Sequence, residues 1–175
     1  MSMLDQLLAQ TATAQAGGFG TSNYLPAGKH KVSLRNMLFR EGFNGLAFVV
    51  EMDVIESSTA EPGLYKVVRL QKAADTQGIF SDAQKWMKAV IVEIMRNAGE
   101  PDYVMSAEDA KPENLTKTAQ DASIIGFSGK TQTIPSKVEG VILVVDSVAG
   151  QSKKGGALVF HNPAPSTPRA EAASE

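Results

Sequence analysis

The stretch HKVSLRNMLFREGFNGLAFVVEMDVIES, residues 30–57, decides the fold. Its first part sets Val32, Leu34 and Leu38 against Lys31, Ser33 and Arg35. An apolar residue at every second position marks a strand with one face in a core and the other in water. Residues 39–45, FREGFNG, form a turn-rich break. Leu46, Phe48, Val50, Met52 and Val54 then alternate again, with Glu51 and Asp53 on the opposite side. Two such runs joined by a glycine-containing loop predict a β-hairpin.

Working outward, Pro26-Ala27-Gly28 is a turn leading into this hairpin, and Glu61-Pro62-Gly63 is the turn that leaves it. LYKVVRLQKA, residues 64–73, predicts a third strand with Leu64, Val68 and Leu70 inward. The period then changes. Ser81 with Gln84 three residues on is a capping-box pattern, and Met87, Val90, Ile91 and Ile94 follow at helical spacing. Gly99 and Pro101 signal the end of that helix. The acidic stretch 100–122 predicts one or two short helical turns, starting near Ser106 with Asp109 and Pro112 with Glu113.

Strand signals return over residues 124–134. GVILVVDSV, residues 140–148, is the strongest strand pattern in the chain because it is β-branched and low in polarity. AGQSKKGG is a loop and ALVFHN closes a second hairpin. At the ends, Met3, Leu4, Leu7 and Leu8 predict a short helix followed by a glycine-rich linker, so residues 1–23 read as a flexible arm. Residues 24–163 form the expected domain, with its helical insert at about 80–122. Residues 164–175, rich in Pro, Ala, Ser and Glu, read as a disordered tail.

Composition narrows the function. A chain of 175 residues with 43% hydrophobic content suits one domain with its own core. No apolar run approaches the ~18 residues of a membrane span. The start carries Asp5 and no basic region, unlike a secretory signal, so a cytoplasmic location is expected, in the host cytoplasm if the chain is viral. The absence of cysteine excludes disulfides, thiolate zinc sites and cysteine nucleophiles. His30 and His161 are the only histidines and lie far apart in sequence. No HExxH or GxSxG motif occurs, and GFSGK at 126–130 is too short for a phosphate-cradling loop. Neither an enzyme nor a cofactor is expected.

The net charge of −2 is unevenly spread. Residues 24–72 carry seven Lys/Arg against five acids, residues 73–123 five against nine, and residues 124–162 four against two. The positive blocks coincide with the β-rich blocks, although ordinary surface scatter produces differences of this size.

Three strands, a helical insert and two or three further strands make a mostly β, α+β chain. The five-stranded Greek-key barrel called the OB-fold has this order, with its helix between strands 3 and 4; a five- or six-stranded barrel of that kind is expected, though a sandwich or half-open barrel uses the same parts. OB-folds lay oligonucleotides across strands 2 and 3, between the loop joining strands 1 and 2 and the loop joining strands 4 and 5. Here the first loop holds Arg40 and Phe43, the last holds Lys153 and Lys154, and strand 3 displays Tyr65, Lys66 and Arg69. With Lys29, Lys31 and Arg35, the cations suit phosphates, while Phe43 and Tyr65 suit base stacking. Each also has a plain reading: Lys153 and Lys154 as a solvated hairpin tip, Phe43 as a core plug, Tyr65 and Trp86 as packing residues.

Three segments carry a family resemblance: LPAGKHKVSLRN with GLAFVVEMDVIESS, GLYKVVRLQKA feeding the helix WMKAVIVEIMRNAG, and GVILVVDSVAGQSKKGGALVFHNPAPS. Over roughly residues 24–163 the chain resembles the single-stranded DNA-binding OB-fold proteins of bacteriophages. The resemblance implies a sequence-independent protein that coats single-stranded DNA in replication or recombination, and a C-terminal tail that contacts replication proteins. This tail holds Glu171 and Glu175 with Arg169, not an acidic run. The rival expectation is a virion structural or assembly protein that forms homo-oligomers through its N-terminal arm or its edge strands.

Overall fold

In chain order the elements are β1 (Gly28–Gly42), β2 (Gly45–Ser57), β3 (Gly63–Leu70), α1 (Thr76–Asn97), α2 (Pro112–Asp121), β4 (Gly126–Ser128), β5 (Thr133–Ile134), β6 (Ile142–Gln151) and β7 (Ala157–Pro165). The computed structural model describes residues 23–42, 45–70, 76–151 and 155–167. Of the expected arm at 1–23, residues 1–22 lie outside them, and the Asn23 carbonyl accepts from the Lys66 amide of β3. The architecture is α+β: one mixed sheet with both helices inserted between β3 and β4. Among the described residues, no helix is long and apolar enough to cross a membrane.

β1 organises the sheet. It pairs antiparallel with β2 along one edge, from His30 opposite Ser57 to Gly42 opposite Gly45. Its other edge is divided between two partners. Residues 28–33 pair antiparallel with β6, and residues 38–40 pair in parallel with β4. The handover falls at a bulge, where the register slips between Leu34 and Asn36 and leaves Arg35 as the extra residue. Polar ties fill the gap between the two partner strands. The Met37 amide donates to Ser136 Oγ at 2.9 Å, the Ser136 hydroxyl donates to Asn36 Oδ1 at 2.8 Å, and the Leu34 backbone bonds Val141 and Gly140.

β3 lies outside β2 and β7 outside β6, giving the run β3-β2-β1-β6-β7. β4 and β5 branch from the far half of β1. Among the described residues no ladder joins β3 to β7, so the sheet is open. Gly126 shows how tightly the branch is drawn in: a Cβ there would meet Ile134 O at 2.5 Å.

The bulge corrects the expected alternation in β1. Val32 and Leu34 enter the core as expected, but one extra residue reverses the parity beyond it. Met37 therefore faces the core, and Leu38 turns to the opposite side, into a small cluster with Ala47 and Val49. β3 is reversed as well. Tyr65 and Val67 pack on the main core, whereas Leu64 is exposed and Val68 joins the small cluster. Apolar residues occupy both parities of β3, so alternation alone selects neither. The break expected over 39–45 is corrected at both ends: Phe39, Arg40 and Glu41 continue β1 to Gly42, β2 starts at Gly45, and residues 43–44 lie outside the described ones.

α1 starts at Thr76, so Ser81 and Gln84 lie inside the helix and form no cap. Ala83, Trp86, Met87, Val90 and Ile91 bury one face against Phe48, Val50, Met52, Leu143 and Val145. Burial of this kind contributes ~25 cal/mol per Å² of apolar surface and holds helix to sheet. α1 ends at Asn97 with Gly99 at φ +104°, as the sequence signals. α2 begins with Pro112, buries Leu115 and Ala119, and closes with Ser123 at φ 57°.

Order continues past the expected boundary at residue 163. Pro163 and Pro165 stand in the ladder opposite Val145 and Leu143. An edge strand tolerates proline when the missing N–H faces outward. Beyond β7 the chain is clasped by buried Glu93. Its carboxylate accepts from the Ser166 hydroxyl (2.7 Å), the Thr167 amide (2.9 Å), the Thr167 hydroxyl (2.7 Å) and Asn97 Nδ2 (3.0 Å). Arg96 Nη1 donates to the Thr167 carbonyl at 2.5 Å. Burial pushes the Glu93 carboxyl up, but these hydrogen bonds outweigh it and hold the group below the ordinary glutamate value.

Candidate nucleic-acid interface

Successive side chains of a strand leave by opposite faces, so β1 and β3 present their cations on the side away from the core. Lys29, Arg35 and Arg40 are exposed there on β1, with Lys66 half-buried on β3. Acids interleave with them. Arg35 Nε donates to Asp53 Oδ2 at 2.8 Å, and Lys66 Nζ lies 3.7 Å from Glu51 Oε1. The Asp53 hydrogen bond and charge raise the Arg35 pKa further above its ordinary value. In register, Lys29 stands across from Asp146 of β6 and Lys31 across from Glu56 of β2. Arg40 differs. Its neighbours in register are Ala47 and Ser128, and among the described residues it makes no ion pair.

The other expected site residues are placed as follows. Lys31 lines a cleft of about 550 Å³ that also holds Glu93 and Glu139, so it stands in an acidic setting. Tyr65 packs against the core opposite Met52, and its hydroxyl donates to the Glu61 carbonyl at 3.2 Å. It is thus on the other side of β3 from Lys66. Arg69 holds the register position opposite Phe48, with its side chain outside the described ones. Phe43, Lys153 and Lys154 lie outside the described residues.

The two histidines are both structural. His30 is buried; its Nε2 is 2.8 Å from the Pro26 carbonyl and its Nδ1 is 2.8 Å from Ser57 Oγ. A carbonyl only accepts, so Nε2 carries the proton and Nδ1 accepts from the Ser57 hydroxyl. His161 Nδ1 lies 2.8 Å from Ser147 Oγ. Burial and the nearby His30 push His161 down to about 4, so it is neutral at physiological pH. Among the described residues, no group of three or more His, Asp and Glu side chains could hold a metal ion.

Sequence reasoning missed an aromatic cluster. Phe39 of β1 lies 5.7 Å from Phe48 of β2 and 5.4 Å, edge to face, from Phe80 of α1. Phe127 of β4 is the register partner of Phe39. Phe39, Phe80 and Phe127 line one cleft of about 460 Å³ between the β1–β4–β5 branch and the two helices. Three phenylalanines so far apart in sequence give no local signal; the parallel β1–β4 pairing and the packing of α1 on the sheet bring them together.

Compared with known proteins, the chain matches no family model, no curated protein and no solved structure.

Proposed function

We propose that the chain is a sequence-independent single-stranded DNA-binding protein of OB-fold type, acting in phage-type DNA replication or recombination. The strand order carries the reading. The run β3-β2-β1-β6-β7 in one open mixed sheet, with α1 placed before the second hairpin, supports an OB-type arrangement. The outward cations of β1 and β3 support the reading, and Arg40, with no carboxylate opposite, is the one most ready for a phosphate. Interleaved ion pairs at the surface are weak, about 0–1 kcal/mol each, and can be exchanged for phosphate contacts. Fluorescence anisotropy of a labelled oligo-dT of about 30 nucleotides at low and moderate salt is the test. Tight binding that falls steeply with salt, and that duplex DNA does not match, is the expected result. No binding at low salt rejects the proposal.

A second reading, a virion assembly protein without a nucleic-acid role, draws support from the outer side of the β6–β7 hairpin. Val148, Leu158 and Phe160 are exposed there together, and Val144 lies beyond Asp146 and Asn162 on the same side. Exposed apolar patches mark contacts with other proteins. Sedimentation velocity distinguishes it: concentration-dependent oligomers in the absence of DNA favour assembly, and a monomer favours the DNA reading.

A further inference from the structure

We infer that the cleft between the β1–β4–β5 branch and the helices is a pocket for a nucleobase of the single strand; this rests on the proposed DNA-binding role and adds a second contact region to it. At about 460 Å³ the cleft has the size of a small-molecule site. Its lining fits a flat, neutral, heteroaromatic ring. Phe39, Phe80 and Phe127 supply ring faces and edges from three different elements, and Met87, Ile125 and Ile134 complete the apolar part. Gln84, Thr116, Gln120 and Ser123 add the polar part from the helix side. Among the described residues none of these four side chains has a hydrogen-bond partner, so their donors and acceptors are available for the edge of a base. No charged residue lines the cleft, which excludes a phosphate as its occupant and suits an uncharged ring.

Backbone strain points to the same place. Ser123 is the only non-glycine at positive φ among the described residues, and it follows α2 at the position where glycine is the usual choice. The main chain there is fixed by Ile124 N to Ala119 O at 2.8 Å and Lys137 N to Ser123 O at 2.7 Å. A side chain kept where glycine would be easier is expected where that side chain has work to do. Arg40 follows Phe39 on β1, facing the other way, and exposed Lys117 follows the lining residue Thr116 on α2.

The test uses the full chain with methyl-labelled methionine and isoleucine and an oligo-dT of about 15 nucleotides, the upper end of OB-type site sizes. Anisotropy reports total binding, and methyl spectra report the cleft. Shifts at Met87, Ile125 and Ile134, with Met52 and Met105 unmoved, are expected. Phe80→Ala, at a position 45% exposed, should weaken binding roughly five- to 150-fold, the range for loss of one stacked base, with its urea midpoint measured alongside. Binding by anisotropy with still methyls at the cleft overturns the pocket and leaves the DNA-binding role standing. Unchanged affinity of the Phe80→Ala protein also overturns it. Absence of any binding by anisotropy overturns both.

Discussion

On the outward side of β1, Lys29, Lys31 and Arg35 each stand by a carboxylate across the ladder, and Arg40 alone does not. On the inward side of the same strand, His30 is fixed by a serine and a carbonyl, and Phe39 packs between two other rings. The outward cations are wet and their partners are exchangeable at little cost, although Leu38 on that side is buried with Ala47 and Val49. The inward groups are packed, and each is held by partners from other parts of the chain. One strand can therefore offer phosphate contacts on one side and ring contacts on the other, with the bulge at Arg35 setting which residues go where.

The strongest way to break this comparison is to treat neighbours on the two sides alike. Phe39→Ala should destabilise the protein by about 3 kcal/mol, because it leaves a void between Phe48 and Phe80. Arg40→Ala, one residue away, should change stability by no more than ~0.5 kcal/mol. Urea midpoints measure both, and similar losses would mean the two sides are not distinct.

Acid should act on the inward side next. His161 titrates near 6.5 when unfolded and at about 4 when folded, so between those values the unfolded chain binds more protons. The stability is full above pH 6.5 and is lost as pH falls toward 4, on the order of 1–3 kcal/mol in all. Urea midpoints of wild type and His161→Gln should converge toward pH 4; a constant difference across the window would contradict the shift. Glu93, held below its ordinary value, adds to acid sensitivity at lower pH still.

On the outward side the effects are smaller and appear in binding. Arg40→Ala should lower the slope of log affinity against log salt by about 1, the share of one phosphate contact, with the fold intact. An unchanged slope would remove Arg40 from the interface. Asp53→Asn frees Arg35 from its ion pair and should raise oligo-dT affinity roughly two- to fivefold, since exposed pairs are worth ~0.2–1 kcal/mol. A drop in affinity would show that Asp53 positions Arg35 instead of competing for it.

Sequence made some of this legible. Alternation found β1, β2 and the inward run Phe48, Val50, Met52 and Val54, and Gly99 located the end of α1. Parity was lost wherever a rule of two met an odd insertion or two apolar faces: Leu38 beyond the bulge, and Leu64 and Val68 on β3. The cations could be named but not their partners, because Asp53 and Glu51 face Arg35 and Lys66 only once the register is known. The histidines and phenylalanines are joined by β1–β6–β7 and β1–β4 pairings that span most of the chain, and a local pattern carries no trace of them. The prolines at 163 and 165 signal disorder in isolation, yet an edge strand accommodates both.

The divided edge of β1 also sets a timetable for synthesis. The hairpin of β1 and β2 is complete early, but Val32 waits for Leu143 and Leu38 for Gly126. At ~5–20 residues per second of translation, the far partner of Val32 arrives roughly 5–20 seconds after it. During that interval a nascent chain carries a bare strand edge, so neighbouring ribosomes on one message hold several identical edges close together. Mispairing between copies is therefore a hazard of production, to be sought in the yield of soluble protein at fast and slow expression rates rather than in the stability of the finished molecule.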